Sequence, residues 1–191
     1  MQGNRNFVAG TPQHLRQGIE TGRAIAGSQR PFAALFGCSD SRVSAELIFD
    51  LGLGDLFVIR NAGQVIAETI LGSLEFAVEV LQVPIILVLG HDECGAVKAT
   101  VSSLRGELQT EGEFIKNLVN RISPTVRQSI ARGKASIDEF TADHIVVTID
   151  EILERSRLIA QRVREGKVAI VGANYRLDVG EVHRLVSRGA I

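Results

Sequence analysis

The run Ile85-Ile86-Leu87-Val88-Leu89-Gly90 limits what this chain can fold into more than any other stretch. It carries no polar side chain and many branched ones. A strand with one wet face alternates apolar and polar residues, so an unbroken apolar run marks a strand buried on both faces. Pro84 precedes it and stops a helix predicted over 67–81, where Ile70, Leu71, Leu74, Ala77, Val78 and Leu81 recur at helical spacing. Phe32–Gly37, Leu56–Arg60 and Val168–Gly172 read as further short strands.

Between these strands the pattern is helical. A helix is expected within Pro12–Ala26, a short one over Ser44–Phe49, and one opening at Cys94-Gly95-Ala96-Val97. Phe114, Leu118 and Ile122 predict a helix ended before Pro124. Ser136-Ile137-Asp138-Glu139 is a capping-box signature. The helix it opens carries Ile145, Ile149, Ile152, Leu153, Ile159 and Val163 on one face and runs to Gly166. Residues 177–182 are expected to turn and return as a last antiparallel strand. Strands separated by helices predict an α/β fold, with a mainly parallel central β-sheet flanked by helices and an antiparallel edge strand. The length of 191 residues fits a single domain, 1–191.

In such sheets ligands gather beyond the C-terminal ends of the strands. Cys38, in Cys38-Ser39-Asp40-Ser41-Arg42, follows the first strand run. His91, in His91-Asp92-Glu93-Cys94-Gly95, follows the run at 85–90. The chain has only 2 cysteines, so a four-thiolate structural site is impossible. Two thiolates and one imidazole make a donor set suited to Zn2+, with a fourth position left for water or substrate. Two thiolates cancel the dication's charge and weaken it as a Lewis acid. Asp40 could then assist by accepting a hydrogen bond from water on the metal, or could bind the metal and close the site. Arg42 could hold Asp40 away through a charge-assisted pair. Each residue alone has a plainer reading. A buried cysteine is commonly a small core hydrophobe, Asp40 and Arg42 could be a surface pair, and His91 a satisfied strand-end histidine. Their joint placement at one edge favours the metal. His14, His144 and His183 lack such neighbours, and Tyr175 reads as packing.

The net charge of −1 offers no field for nucleic acid. No apolar run reaches the about 20 residues that cross a bilayer, and Met1–Arg5 lacks the apolar part of a secretory signal. A cytoplasmic location is expected, where thiols stay reduced and metal binding is favoured over a Cys38–Cys94 disulfide.

Cys38-Ser39-Asp40-Ser41-Arg42-Val43 and His91-x-x-Cys94-Gly95 resemble the two signature motifs of the β-class carbonic anhydrases. The likeness extends through Asp55–Gly63, Gly72–Val78, Val88–His91 and Ala169–Tyr175. The resemblance implies one Zn2+ per chain on Cys38, His91 and Cys94, with Asp40 and Arg42 as a gating dyad and Asp40 a ligand only in a closed state. It implies reversible hydration of carbon dioxide to bicarbonate and a proton, by attack of zinc-bound hydroxide. Gln29, Phe57, Phe76 and Gly95 fall at substrate-binding positions, although Phe76 replaces a frequent tyrosine. Members regulated by bicarbonate carry a tryptophan where this chain has Leu35, and the chain has none, so no such pocket is expected. The family's sites form at subunit interfaces, which implies a homodimer or a homotetramer, with residues 1–30 as an N-terminal helical arm. Hydrolysis of carbonyl sulfide or carbon disulfide on the same scaffold is one alternative, and a non-catalytic zinc protein is another.

Overall fold

The computed structural model describes residues 1–108 and 111–190. Helices α1 (Gln2–Val8) and α2 (Ile19–Ile25) come first, then strand β1 (Ala33–Cys38) and the short α3 (Ala45–Ile48). Next are β2 (Leu56–Asn61), a 3-10 turn (Ala62–Gln64), α4 (Glu68–Glu79) and β3 (Ile85–His91). The chain continues through α5 (Gly95–Leu104), α6 (Glu113–Ala131), α7 (Ile137–Arg155) and α8 (Arg157–Arg164) to β4 (Ala169–Tyr175) and β5 (Val182–Arg188).

The strands form one sheet in the order β2-β1-β3-β4-β5. The first three pairings are parallel and β4 with β5 is antiparallel, as the sequence predicts. β1 is buried at every residue, which matches its unbroken apolar run. One sheet face carries Ala34, Phe36, Ile86, Val88 and Ile170 and packs on α4, α7 and α8. The other carries Leu35, Leu89, Ala173 and Tyr175 and packs on α3 and Phe7 of α1. Tyr175 is a core residue.

α7 lies close against the sheet because Gly90 presents no side chain to it. A Cβ there would fall 2.5 Å from Ile145 Cδ1, far inside contact distance. The capping box forms at its start: Glu139 N–H donates to Ser136 Oγ at 3.2 Å, and Ser136 N–H donates back to the Glu139 carboxylate at 3.0 Å.

Three expected boundaries differ. α6 runs through Pro124 rather than ending before it. The proline removes the N–H that Asn120 O would accept, but both residues are exposed, so water can take up that carbonyl. Burial of Val119, Ile122 and Val126 outweighs the loss. The helix predicted from 137 to 166 is two helices, broken at Ser156. Ser156 is extended (φ −105, ψ 102), accepts from Ile159 N–H and donates to Glu75 Oε1 at 2.6 Å. Its hydroxyl caps α8, a local competition with the helix that periodicity does not reveal. In the first segment only Ile19–Ile25 is helical, because His14 and Arg16 adopt positive φ.

The N-terminal residues dock on their own chain. Asn4 is buried and donates to Ile48 O and Gly180 O while accepting from Val182 N–H. The Asp50 carboxylate accepts from the Asn6 amide and from the N–H groups of Gln13 and His14. These donors, Asn6 first, hold its carboxyl below the ordinary range. A lowered folded value stabilises above the unfolded one, about pH 4, and that contribution is lost as pH falls through the folded value. Hydrogen exchange of residues 1–17 should therefore quicken between pH 7 and pH 3 relative to the sheet, and Asp50→Asn should show the quickened exchange already at pH 7. Protection of 1–17 that ignores both changes would count against this docking.

Candidate metal centre

Cys38 ends β1, His91 ends β3, and Cys94 is the residue before the first turn of α5. Parallel pairing sets Gly37 opposite Leu89, so the two strand ends meet at one edge of the sheet. The turn 91–94 folds Cys94 back toward them, with Glu93 in the left-handed region at φ 54. The two Sγ atoms and a His91 nitrogen all lie within 4.8 Å of one another, and all three residues are buried. The grouping could hold one metal ion.

The His91 ring has no exposure. Its Nδ1 donates to Asp92 O at 2.7 Å, since a carbonyl can only accept. The proton is thereby fixed on Nδ1 and the lone pair on Nε2, and Nε2 is buried with no hydrogen-bond partner. A buried unpaired acceptor is costly unless something fills it, and a cation beside two sulfurs would do so. Cys38 is pulled toward thiolate, first by a hydrogen bond from Cys94 and then by the N–H groups of Gly63 and Asp40, against the cost of burial. Cys94, as that donor, is pushed up. The donor set, the burial and the orphaned nitrogen fit a borderline-soft ion such as Zn2+.

Asp40 stands at the rim of this cluster. Its Oδ2 lies 3.8 Å from His91 Nε2. Arg42 grips the carboxylate in a fork, Nε to Oδ1 at 2.9 Å and Nη2 to Oδ2 at 2.8 Å, with its own backbone N–H adding a third bond at 3.0 Å. Arg42, through its side chain first and then its backbone N–H, holds the Asp40 carboxyl well below the usual range. The pair expected from the sequence is therefore formed, and it turns both carboxylate oxygens toward Arg42.

Of the remaining expected residues, Gln29, Phe57 and Phe76 do not join the cluster within one chain. Gln29 is exposed and precedes the opposite end of β1. A strand of 6 residues puts about 20 Å between the two ends. Phe57 pairs with Ala34 near that same end and stacks on Phe76, with ring centroids 6.0 Å apart. Phe76 is 43% exposed, unusual for a large apolar ring. Gly95 lies beside Cys94, exposed, with open space where a Cβ would stand.

Supporting residues appear that the motifs did not single out. Arg60 donates from Nε to Cys38 O at 2.8 Å and from Nη2 to Asp40 O at 2.7 Å, clamping the loop after β1. Gly63 N–H donates to Cys38 Sγ at 3.4 Å, and Gly63 O lies 2.8 Å from His144 Nε2. His144 is buried, and burial lowers its pKa, so it serves as a neutral donor to that carbonyl. The Ala62-Gly63 turn after β2 was the sequence signal for this support. Gly63 has φ +72, and a Cβ there would meet Ala96 Cβ at 2.7 Å and Ile122 Cδ1 at 2.9 Å.

The family model described as carbonic anhydrase matches residues 33–182. The carbonic anhydrase of Mycolicibacterium smegmatis is 49% identical over 180 residues, covering 94% of this chain and 87% of the relative. Carbonic anhydrase 2 of Mycobacterium tuberculosis is 47% identical over 94% of this chain and 86% of its own. Among solved structures, the β-carbonic anhydrase CcaA superposes with a TM-score of 0.75 at 27% identity, covering 96% of this chain and 91% of the other. A tetrameric β-carbonic anhydrase of Sordaria macrospora shares the fold, with a TM-score of 0.79 at 20% identity over 97% and 95% of the two chains.

Gly63→Ala should cost roughly 1–3 kcal/mol of stability through strain at positive φ and crowding. It should also weaken metal retention by displacing the N–H aimed at Cys38. Thermal unfolding with and without zinc measures both, and a variant as stable as the native chain would remove Gly63 from this account.

Proposed function

Because this chain belongs to the β-carbonic anhydrase family, we propose that it catalyses the reversible hydration of carbon dioxide to bicarbonate and a proton at a zinc ion held by Cys38, His91 and Cys94. The observation that carries the reading is the buried, unpartnered His91 Nε2 within 4.8 Å of both thiols, with the Asp40–Arg42 pair at its rim. A zinc ion bound there supplies Lewis acidity that lets water act as a nucleophile at neutral pH.

The chain's own residues have separate tasks. Cys38 and Cys94 fix the cation and neutralise it. His91 contributes a neutral ligand in one enforced tautomer. Arg42 keeps Asp40 out of the fourth position, and the carboxylate remains an acceptor at 3.8 Å from His91 Nε2, where it can orient water for attack. If Arg42 releases it, Asp40 is near enough to close the site. A structural metal site needs no such gate, and this supports catalysis over a passive role.

The substrate side requires a second copy. Gln29, Phe57 and Phe76 lie together toward one end of the sheet and the metal cluster at the other. A homodimer that brings one protomer's Gln29 and Phe57 against its partner's zinc edge completes the pocket, with Gly95 giving open space beside the ion. Exposed Phe32, Phe76 and Val80 offer apolar area for that contact. The relatedness to tetrameric enzymes of Sordaria macrospora makes a tetramer the larger assembly to test. The free thiols fit a reducing compartment, and we place the enzyme in the cytoplasm. Among the described residues no helix is long and apolar enough to cross a membrane.

Stopped-flow hydration of carbon dioxide, with a zinc count on the same sample, tests the reading. The native chain should carry one zinc per protomer and turn over carbon dioxide faster than carbonyl sulfide; the reverse preference would favour the hydrolase alternative. Cys38→Ser should lose zinc and activity together, and full zinc with normal turnover in that variant would sink the ligand assignment. Asp40→Ala should keep its zinc yet slow turnover by about 10²-fold or more. Turnover at the native rate would take Asp40 out of the reaction.

A further inference from the structure

The orientation of His91 depends on one carbonyl, and that carbonyl belongs to Asp92. Asp92 is itself a buried acid, 4% exposed, set between two metal ligands. Its backbone N–H donates to Tyr175 O at 3.1 Å, extending the β3–β4 pairing by one bond. Its Oδ1 accepts from Leu177 N–H at 2.9 Å. Its Oδ2 lies 3.0 Å from Arg176 Nε, an ion pair in which the N–H is not aimed along the contact. The Arg176 guanidinium also reaches Asp138 in the first turn of α7 and Asp178, each at 3.5 Å.

These ties hold one residue from both sides. The carbonyl that receives the His91 proton sits in the peptide joining Asp92 to Glu93, and Glu93 is in the left-handed region. Such a turn is held by its surroundings rather than by its own preference. A rotation of that peptide would turn the carbonyl away, release the imidazole and swing Nε2 off the sulfurs. The ties of Asp92 oppose that rotation from the β4–β5 connection, 85 residues away in sequence.

We propose that Asp92, backed by Arg176, is a positioning residue for the metal centre: it locks the 91–94 turn to the segment after β4 so that His91 presents Nε2 to the ion. The inference rests on the reading of Cys38, His91 and Cys94 as a metal site. It adds that the quality of the site is set from outside the ligand motifs, by a buried acid–arginine pair.

Metal affinity tests it apart from activity. Zinc affinity would be measured by competition with a chromophoric chelator, and ligand geometry from the visible bands of the cobalt(II)-substituted protein. Asp92→Ala should bind zinc about 10–100-fold more weakly, the range seen when groups that orient a ligand are removed, and its cobalt bands should shift. Asp92→Asn, which still offers an oxygen to Leu177 N–H, should lose severalfold, as should Arg176→Ala. Native affinity and native cobalt bands in Asp92→Ala would overturn the proposal. So would a variant whose metal-free form is less stable but whose zinc affinity is unchanged, since that marks a tie serving the fold alone. If Asp92→Ala does not fold, native affinity in both Asp92→Asn and Arg176→Ala overturns it. A native chain that takes up neither zinc nor cobalt fails in a different way, by removing the metal site itself.

Discussion

Parallel pairing of β1 with β3 is the constraint on which the rest depends. It sends both strands' C-terminal ends to one edge, with Gly37 opposite Leu89, and so delivers Cys38 and His91 to the same place. An antiparallel pair would have put them at opposite ends of the sheet. The pairing requires a helical crossover between strands, which α4 supplies, and it requires both faces to be covered, which the two apolar clusters supply. Gly90 then lets Ile145 press on the strand immediately before His91. The candidate metal edge thus follows from core packing, with Cys38 and His91 at the ends of two strands and Cys94 at the start of α5.

The sequence made this edge legible because the signals are local. An unbroken apolar run marks β1 and β3, and a candidate ligand stands at the end of each. The capping box at Ser136 is equally local and forms as expected. What was not legible was decided by contacts between distant residues. Pro124 looks like a helix stop, and α6 continues because of what Ile122 and Val126 bury on the other side. Ser156 looks like an ordinary polar position until Glu75 is seen beside it. Arg60, His144 and Asp92 support the site through partners 20 to 85 residues away, for which no spacing rule exists. Gln29, Phe57 and Phe76 stand out by resemblance alone. One chain does not bring them to the cluster, and the proposed dimer is what would do so.

Two acids at the metal edge are each paired with an arginine. Asp40 is gripped by Arg42, and Asp92 is paired with Arg176. Arg60 is spent on the backbone carbonyls of Cys38 and Asp40. A dication held there on two thiolates would leave the centre close to neutral. This arrangement sacrifices Lewis acidity, since a cation on three neutral imidazoles would polarise water more strongly. It gains in the other half of the proposed cycle. In the proposed reaction an uncharged gas would enter without opposing field. The local pairing also explains why the gate can be a single salt bridge. Moving Asp40 from Arg42 to a bound metal would exchange one cationic partner for another without changing the net charge. The balance between them is left to geometry, which the clamp of Arg60 on the Cys38–Asp40 loop then sets.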